Sequence, residues 1–367
     1  MLRRLLMLSL ALCAVLATTR GARADEVDTV LRRLVALNPG QRIEAAARLA
    51  EIATPQRWPR IVPPLVKRLQ EDVSADVRQA AAKALAEIGD PGTAAALAAR
   101  LSLERDERVL AAVLLAIGQA GSARDVPTLG TVARTHPVPS VRAAALSALG
   151  ALGGEGARAH VLYVLTMPGL PDPDWGVRSA AVLALVHCGH ADDLGPVLTA
   201  YREGGGERHW FARASLARLV AARDRDPLPI LRRMVVDPDP RVAVTAAVGI
   251  ARTGHLQEML HLLRHLSPTV RAAAASATAR AQVEGAYGRL RSLARFDRSP
   301  RVRWAAALAL FRLEEPEADD YVLSALLSRE PAVWAEAIAA LSRRTGEQHG
   351  RDARAWRSAL RRWRRAQ

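Results

Sequence analysis

The sequence predicts an all-α chain built as a solenoid of stacked helix pairs. Three observations predict it. A phrase of the form PSVRAAALSALGALG (139–153) returns at near-constant spacing. Ala and Leu dominate a chain that is only 4% aromatic, which suits closely packed helices. Within each copy the apolar residues recur at the period of a helix face. With the central valine of each copy as position zero, the copies sit at Val77, Val109, Val141, Val177, Phe211, Val242, Val270, Val302 and Val333, separated by 32, 32, 36, 34, 31, 28, 32 and 31 residues. Such a period marks stacked supersecondary units rather than one globular core.

The first 24 residues stand apart. MLRR is a basic start, Leu5–Thr18 is an apolar run, and Ala22-Arg23-Ala24 is a small-x-small cleavage site, so 1–24 reads as a secretory signal peptide. The apolar run is shorter than the ~20 residues of a spanning helix. Anchoring through Cys13 is disfavoured, because Leu12 stands where a lipobox needs a small residue. The expected location is the periplasm of a Gram-negative envelope, or outside the cell. After cleavage Cys188 alone is left, so no internal disulfide is expected.

A solenoid of 25–345 follows, opened by an unpaired helix (25–37) and a degenerate copy (41–52). In each unit an N-cap residue comes first: Ser74, Asp106, Asp174, Asp239, Ser267 or Ser299. Pro139, Pro240, Pro268, Pro300 and Pro331 suit the next position, where a missing N–H costs nothing. Apolar residues at +3/+4, +7/+8 and +11 form the buried stripe, with small Ala at +3/+4 for close helix approach. Gly89, Gly121, Gly153, Gly189 and Gly254 suit left-handed caps. A second apolar segment, such as HLQEMLHLLRHL (255–266), completes each pair. One pair cannot bury both of its faces, so stacking supplies the core.

The D/S-P-x-V-R-x-A-A-x-A-L phrase resembles the HEAT-repeat family, in the short form related to phycobilisome-lyase repeats, over most of 41–345. The resemblance implies a right-handed α-solenoid of about ten helix pairs whose second helices line a concave face. It also implies a binding scaffold rather than a catalyst, although a lyase-like accessory role belongs to the same repeats. No His-Glu dipeptide occurs, whereas the iron sites of HEAT-like metal hydroxylases use such pairs.

Arg78, Arg142, Arg178, Arg271 and Arg303 stand at +1, in a first turn where the macrodipole disfavours a cation. They read as structural ties between repeats, to carboxylates such as Asp76, Asp90, Asp106, Asp125 or Asp239, rather than as a ligand row. The HEAT resemblance implies such an Asp/Arg ladder. Ala212 and Ala243 interrupt the position, which a frame tolerates better than a ligand row would.

No catalytic residue, cofactor or metal site is expected. His187-Cys188-Gly189-His190 falls at a helix end, and His261/His265, although i, i+4, lack the Glu of a zincin pair. No phosphate-loop or nucleophile-elbow motif occurs, and Gly204–Gly206 reads as a connector. The insertion 166–175 is a longer turn able to carry a contact. All four tyrosines fall on second helices. With their basic neighbours they form a candidate partner-binding groove: His160, Tyr163, Tyr201, Arg202, His261, Arg264, His265, Tyr287, Arg289 and Tyr321.

Residues 342–367 hold nine Arg against two acids. Within them, Ala353, Trp356, Leu360 and Trp363 make one stripe, so 346–367 reads as a basic capping helix. Arg354, Arg357, Arg361, Arg364 and Arg365 are candidate contacts to an anionic envelope surface, lipid or lipopolysaccharide. A protein partner is expected first and the anionic surface second. Nucleic acid is not expected, because an exported chain rarely meets it.

Overall fold

The structure, a computed structural model, describes residues 26–167, 172–203 and 207–366, apart from the side chains of Arg202, Glu203 and Glu284. The signal segment and Gly204–Gly206 lie outside the described residues. Every regular element among the described residues is helical. A lone helix α1 (26–34) precedes ten pairs. The first five are α2 (Pro39–Glu51) with α3 (Trp58–Glu71), α4 (Ala75–Ile88) with α5 (Ala94–Leu103), α6 (Glu107–Ala120) with α7 (Val126–Thr135), α8 (Pro139–Leu152) with α9 (Gly154–Thr166), and α10 (Trp175–Cys188) with α11 (Leu194–Glu203). Next come α12 (Trp210–Arg223) with α13 (Leu228–Met234), α14 (Pro240–Arg252) with α15 (Leu256–Leu262), and α16 (Pro268–Ala281) with α17 (Tyr287–Phe296). The last two pairs are α18 (Pro300–Arg312) with α19 (Ala318–Ala325), and α20 (Pro331–Thr345) with α21 (Ala353–Ala366). This is the predicted α-solenoid architecture. Its contacts divide into two compact units, 1–200 and 201–367.

In each unit the first helices pack on one another in a row, α2 to α4, α6, α8 and α10, then α12 to α14, α16 and α18. Their zero-position valines are fully buried from Val77 to Val302, and only Val333 in the last pair is half-exposed. The tightest approach lies further along than the predicted +3/+4 alanines. A methyl group at Gly118 would stand 2.8 Å from Ala148 Cα, and one at Gly150 would stand 2.8 Å from Ala184 Cα. Position +9 of one repeat therefore meets +7 of the next, backbone against backbone.

The caps follow the sequence reading in part. All five prolines open their helices. Asp106, Asp174 and Asp239 accept first-turn N–H groups, whereas Ser74, Ser267 and Ser299 hold the N-cap position without a side-chain bond. Gly89 is left-handed at φ 67°, and Gly153 and Gly254 also have positive φ. Gly121 and Gly189 instead have extended backbone. A side chain there would strike the carbonyl oxygen of Ile117 or Leu185, so lack of room explains these two glycines.

The +1 arginines are ties between repeats, and they form a relay. Arg142 donates to both carboxylate oxygens of Asp172, in the turn between its own pair and the next, at 2.8 Å each, and its Nη1 donates back to the carbonyls of His136 and Pro137 in the turn before its own helix. Arg78 grips Glu104 and Arg271 grips Asp297 in the same way. The gripped residue then serves the next rung: the Asp172 carbonyl accepts from Arg178, and the Asp297 carbonyl from Arg303. Each carboxylate also accepts the N–H two residues ahead, as Asp172 does from Asp174 at 3.0 Å. The acceptors are thus not the acids named from sequence. They stand at or just beyond the C-terminus of the following second helix, where they also shape the next helix start. Asp172 belongs to the 166–175 insertion, of which 168–171 lies outside the described residues.

The relay has two further members. Arg42 grips Asp72 at 2.9 Å through two bonds, and Arg213 grips Asp237 at 2.8 and 2.9 Å. Arg213 corrects the register of its repeat. Ala212, fully buried, is the true zero position there in place of Phe211, so the repeat keeps its +1 arginine and Ala212 is no interruption. Ala243 does interrupt the series.

Three of the relay carboxylates, Asp72, Glu104 and Asp297, are held ionised. Burial alone would raise the Glu104 carboxyl, yet hydrogen bonds from Arg78, the Asp106 amide and Arg100 outweigh it and hold the group well below the usual carboxylate range. Asp72 is likewise lowered against its burial, by Arg42 and the Ser74 amide, and Asp297 is lowered chiefly by Arg271. A depressed folded-state pKa means stability that is complete above the unfolded value and lost as pH falls through the folded one. Thermal melting is therefore expected to change little from pH 7 to 5 and to fall steeply below about pH 4, where unfolded carboxylates take up protons. A melting series across that range checks it.

Candidate functional site

The groove residues named from sequence divide between the two units. In unit 1, His160 and Tyr163 lie on α9 and meet Arg134 of α7. Arg134 Nη1 donates to His160 Nδ1, and its guanidinium lies 5.5 Å from the Tyr163 ring centroid. The His160 ring fits against Gly130 of α7, where a side chain would overlap it. Tyr163 is exposed. Burial, then the Arg134 charge, pushes the His160 imidazole below its ordinary value. The result is a neutral imidazole, a cation and an exposed phenol on adjacent second helices, suited to hydrogen-bonding and stacking contacts.

In unit 2, Tyr201, Tyr287, Arg289 and Tyr321 lie on α11, α17 and α19, as expected of second-helix residues, and all four are half-buried. The side chain of Arg202 lies outside the described residues. Tyr321 Oη accepts from Arg295 Nε at 2.6 Å. The predicted i, i+4 pair His261/His265 does not share a helix. Helix α15 ends at Leu262 and closes with tight turns, Arg264 N to His261 O and His265 N to Leu262 O. Arg264 and His265 therefore belong to the turn. His265 Nδ1 accepts the Ser267 amide at 3.1 Å, and the His265 carbonyl accepts from Arg271, which places this histidine in the frame. His261 and His265 still line one open cleft of about 430 Å³ with Arg232 and Glu258, themselves paired through two bonds of 2.9 and 2.6 Å.

Sequence reasoning missed Arg134, Arg232 and Arg295. The signal that finds them is the repeat offset: each meets its partner 26 residues on, at 134/160, 232/258 and 295/321. Residues 187–190 lie at the end of α10 and in the turn beyond, as expected. Among the described residues, no three His, Cys, Asp or Glu side chains converge as metal ligands would.

The C-terminal helix α21 packs against α19 and α20. Trp356, Ala359 and Leu360 are buried, and Trp356 Nε1 donates to the Gly350 carbonyl at 2.9 Å. Trp363 is half-buried. Of the proposed surface arginines, Arg364 is committed to Asp319 through two bonds of 2.9 Å, and Arg357 reaches Asp320 at 3.3 Å. Arg354, Arg361 and Arg365 face outward.

The Arg134 contact makes a checkable statement about His160. In an NMR titration His160 is expected to protonate below the ordinary histidine value of about 6.5, and Arg134→Ala to raise its midpoint.

The solved structures that resemble the chain include Kap95p, whose binding induces the switch loops of RanGDP to adopt the GTP-bound conformation (16% identity, TM-score 0.42, 86% of this chain and 49% of that one). They also include the karyopherin Kap121p bound to the extreme C-terminus of the protein phosphatase Cdc14p (12%, 0.37, 93% and 43%) and human deoxyhypusine hydroxylase in complex with glycerol (19%, 0.26, 90% and 99%). The chain spans about half the length of the Kap95p chain it matches. No curated protein matches the sequence significantly. The family described as HEAT repeats matches residues 27–117 and 256–342, in both units. The chain thus contains HEAT repeats in those two regions, within its series of stacked helix pairs.

Proposed function

We propose that the chain is an exported, non-catalytic HEAT-repeat scaffold that binds a protein partner along its second helices. The observation that carries the reading is a division of labour. The arginines that recur on first helices are spent on the relay, so they are not available as a ligand row. All four tyrosines lie on second helices, where exposed Tyr163 meets Arg134 and His160. Tyr and Arg contribute disproportionately to protein interfaces because they bury large area at low entropic cost. The kinship to karyopherin-type solenoids concerns fold alone, and the partner of this chain is its own. Export rests on the MLRR start, the apolar run and the Ala-Arg-Ala site of 1–24. Among the described residues no helix is long and apolar enough to cross a membrane.

A second reading, an envelope-surface role for the tail, is favoured by the outward placement of Arg354, Arg361 and Arg365. Capping and surface contact are compatible, since the buried Trp356 face and these arginines lie on opposite sides of α21. Photo-crosslinking in the native cell decides the main reading. A crosslinking residue at Tyr163 is expected to capture a discrete partner, while one at Ser147, exposed on first helix α8, captures none. Capture from Ser147 alone contradicts the second-helix assignment.

A further inference from the structure

The exposed large apolar side chains of this protein are not scattered. Most of those among the described residues sit at or beside a turn that leads into a first helix: Val35 and Leu37 before α2, and Val73, Leu103, Met167, Val236, Leu266, Phe296 and Leu327 before later first helices, while Leu115, Tyr163, Trp175 and Leu256 lie on helices. In unit 2 the series occupies four successive turns: Val236 is 55% exposed, Leu266 94%, Phe296 77% and Leu327 76%. Isolated exposed apolar residues need no explanation, but a row at one structural position does.

The relay grips the turns that carry Val236, Leu266 and Phe296, and Arg351 holds the Leu327 turn by donating to the Leu326 and Ser328 carbonyls. The Leu266 carbonyl accepts from Arg271 at 2.8 Å, and Asp297, next to Phe296, is gripped by the same arginine. The turn is fixed while the side chain beside it is left outside. Each tip of unit 2 also has an exposed arginine within three residues: Arg233, Arg264, Arg298 and Arg329 respectively. None of these four has a side-chain hydrogen bond or ion pair among the described residues. The surrounding charge has the same sign. Residues 201–367 carry thirty Arg against eighteen acids, while residues 25–200 carry eighteen basic against nineteen acidic residues.

An apolar tip beside an unpaired cation, repeated along one edge, fits a surface that is apolar just beneath an anionic layer. From this we infer that the edge formed by the α13–α14, α15–α16, α17–α18 and α19–α20 turns docks on an anionic phospholipid bilayer. Leu266, Phe296 and Leu327 enter the interface, and Arg264, Arg298 and Arg329 pair with lipid phosphates. An acidic protein surface would use the arginines but would leave three large apolar side chains in water. Arg264, named from sequence as a groove residue, belongs to this edge because it lies in the turn beyond α15; the edge is separate from the α21 arginines and does not depend on the protein-scaffold reading.

The test is co-sedimentation of the full mature chain with phosphatidylcholine vesicles, with and without phosphatidylglycerol. The wild type is expected to sediment with the anionic vesicles and not with the neutral ones. Leu266→Ser/Phe296→Ser/Leu327→Ser is expected to weaken binding by at least about tenfold. Arg264→Gln/Arg298→Gln/Arg329→Gln is expected to weaken it by about fivefold per arginine. Melting curves of both variants confirm that they fold, since the altered side chains face solvent. Failure of the wild type to bind anionic vesicles overturns the inference. So does wild-type affinity in the folded apolar triple variant, a result that assigns lipid contact to the tail arginines instead.

Discussion

A cation in the first turn of a helix works against the helix dipole, and this chain places one there repeat after repeat. The cost is offset because each guanidinium is fully used. In Arg42, Arg78, Arg142, Arg213 and Arg271, two N–H groups meet a carboxylate at the close of the same helix pair in a planar fork, and a third reaches back to carbonyls of the preceding turn. Each such rung therefore fixes three things together: the start of its own helix, the close of the second helix paired with it, and the turn that leads into the next repeat. Replacing a buried ion pair by apolar residues often leaves stability unchanged, so the worth of such a pair lies in the register it imposes. In an alanine-rich stack, where one small side chain resembles the next, apolar packing alone would specify that register weakly.

The remaining packing follows from the register. Gly118 and Gly150 can lie against Ala148 and Ala184 only if neighbouring helices are aligned to within a residue, since a shift would bring a larger side chain to the contact. The side chains available for recognition are those the frame leaves unused. They are the aromatic and basic residues on second helices, three outward arginines of α21, and the apolar tips of the inter-repeat turns.

Much of the fold was legible because the repeat states it nine times. Proline, valine and the apolar stripe each marked their positions correctly. What escaped was what one repeat does to the next. The relay acceptors are carboxylates at the close of a second helix, and Glu104, Asp172 and Asp297 share neither residue type nor a constant distance from their arginine, with offsets of 26, 30 and 26. The sequence reading puts Phe211 at the zero position, yet Ala212 is the fully buried residue there. The His261/His265 spacing suggested one helix face, but two tight turns end α15 between them. Of the candidate site, residue types and the second-helix location were readable. The partners Arg134, Arg232 and Arg295 were not, because each lies a full repeat away in sequence.

The claim on which this account rests is that the arginine–carboxylate rung is one coupled unit between repeats. A double-mutant cycle on Arg142 and Asp172, read by reversible chemical unfolding of the mature chain, tests it directly. Arg142→Ala and Asp172→Ala are each expected to cost about 3 kcal/mol, because each leaves a largely buried charge unpaired. The double variant is expected to cost clearly less than their sum, with a coupling of about 1–3 kcal/mol. Additive losses would contradict the account and would reduce the recurring arginine to an independent surface residue of each helix.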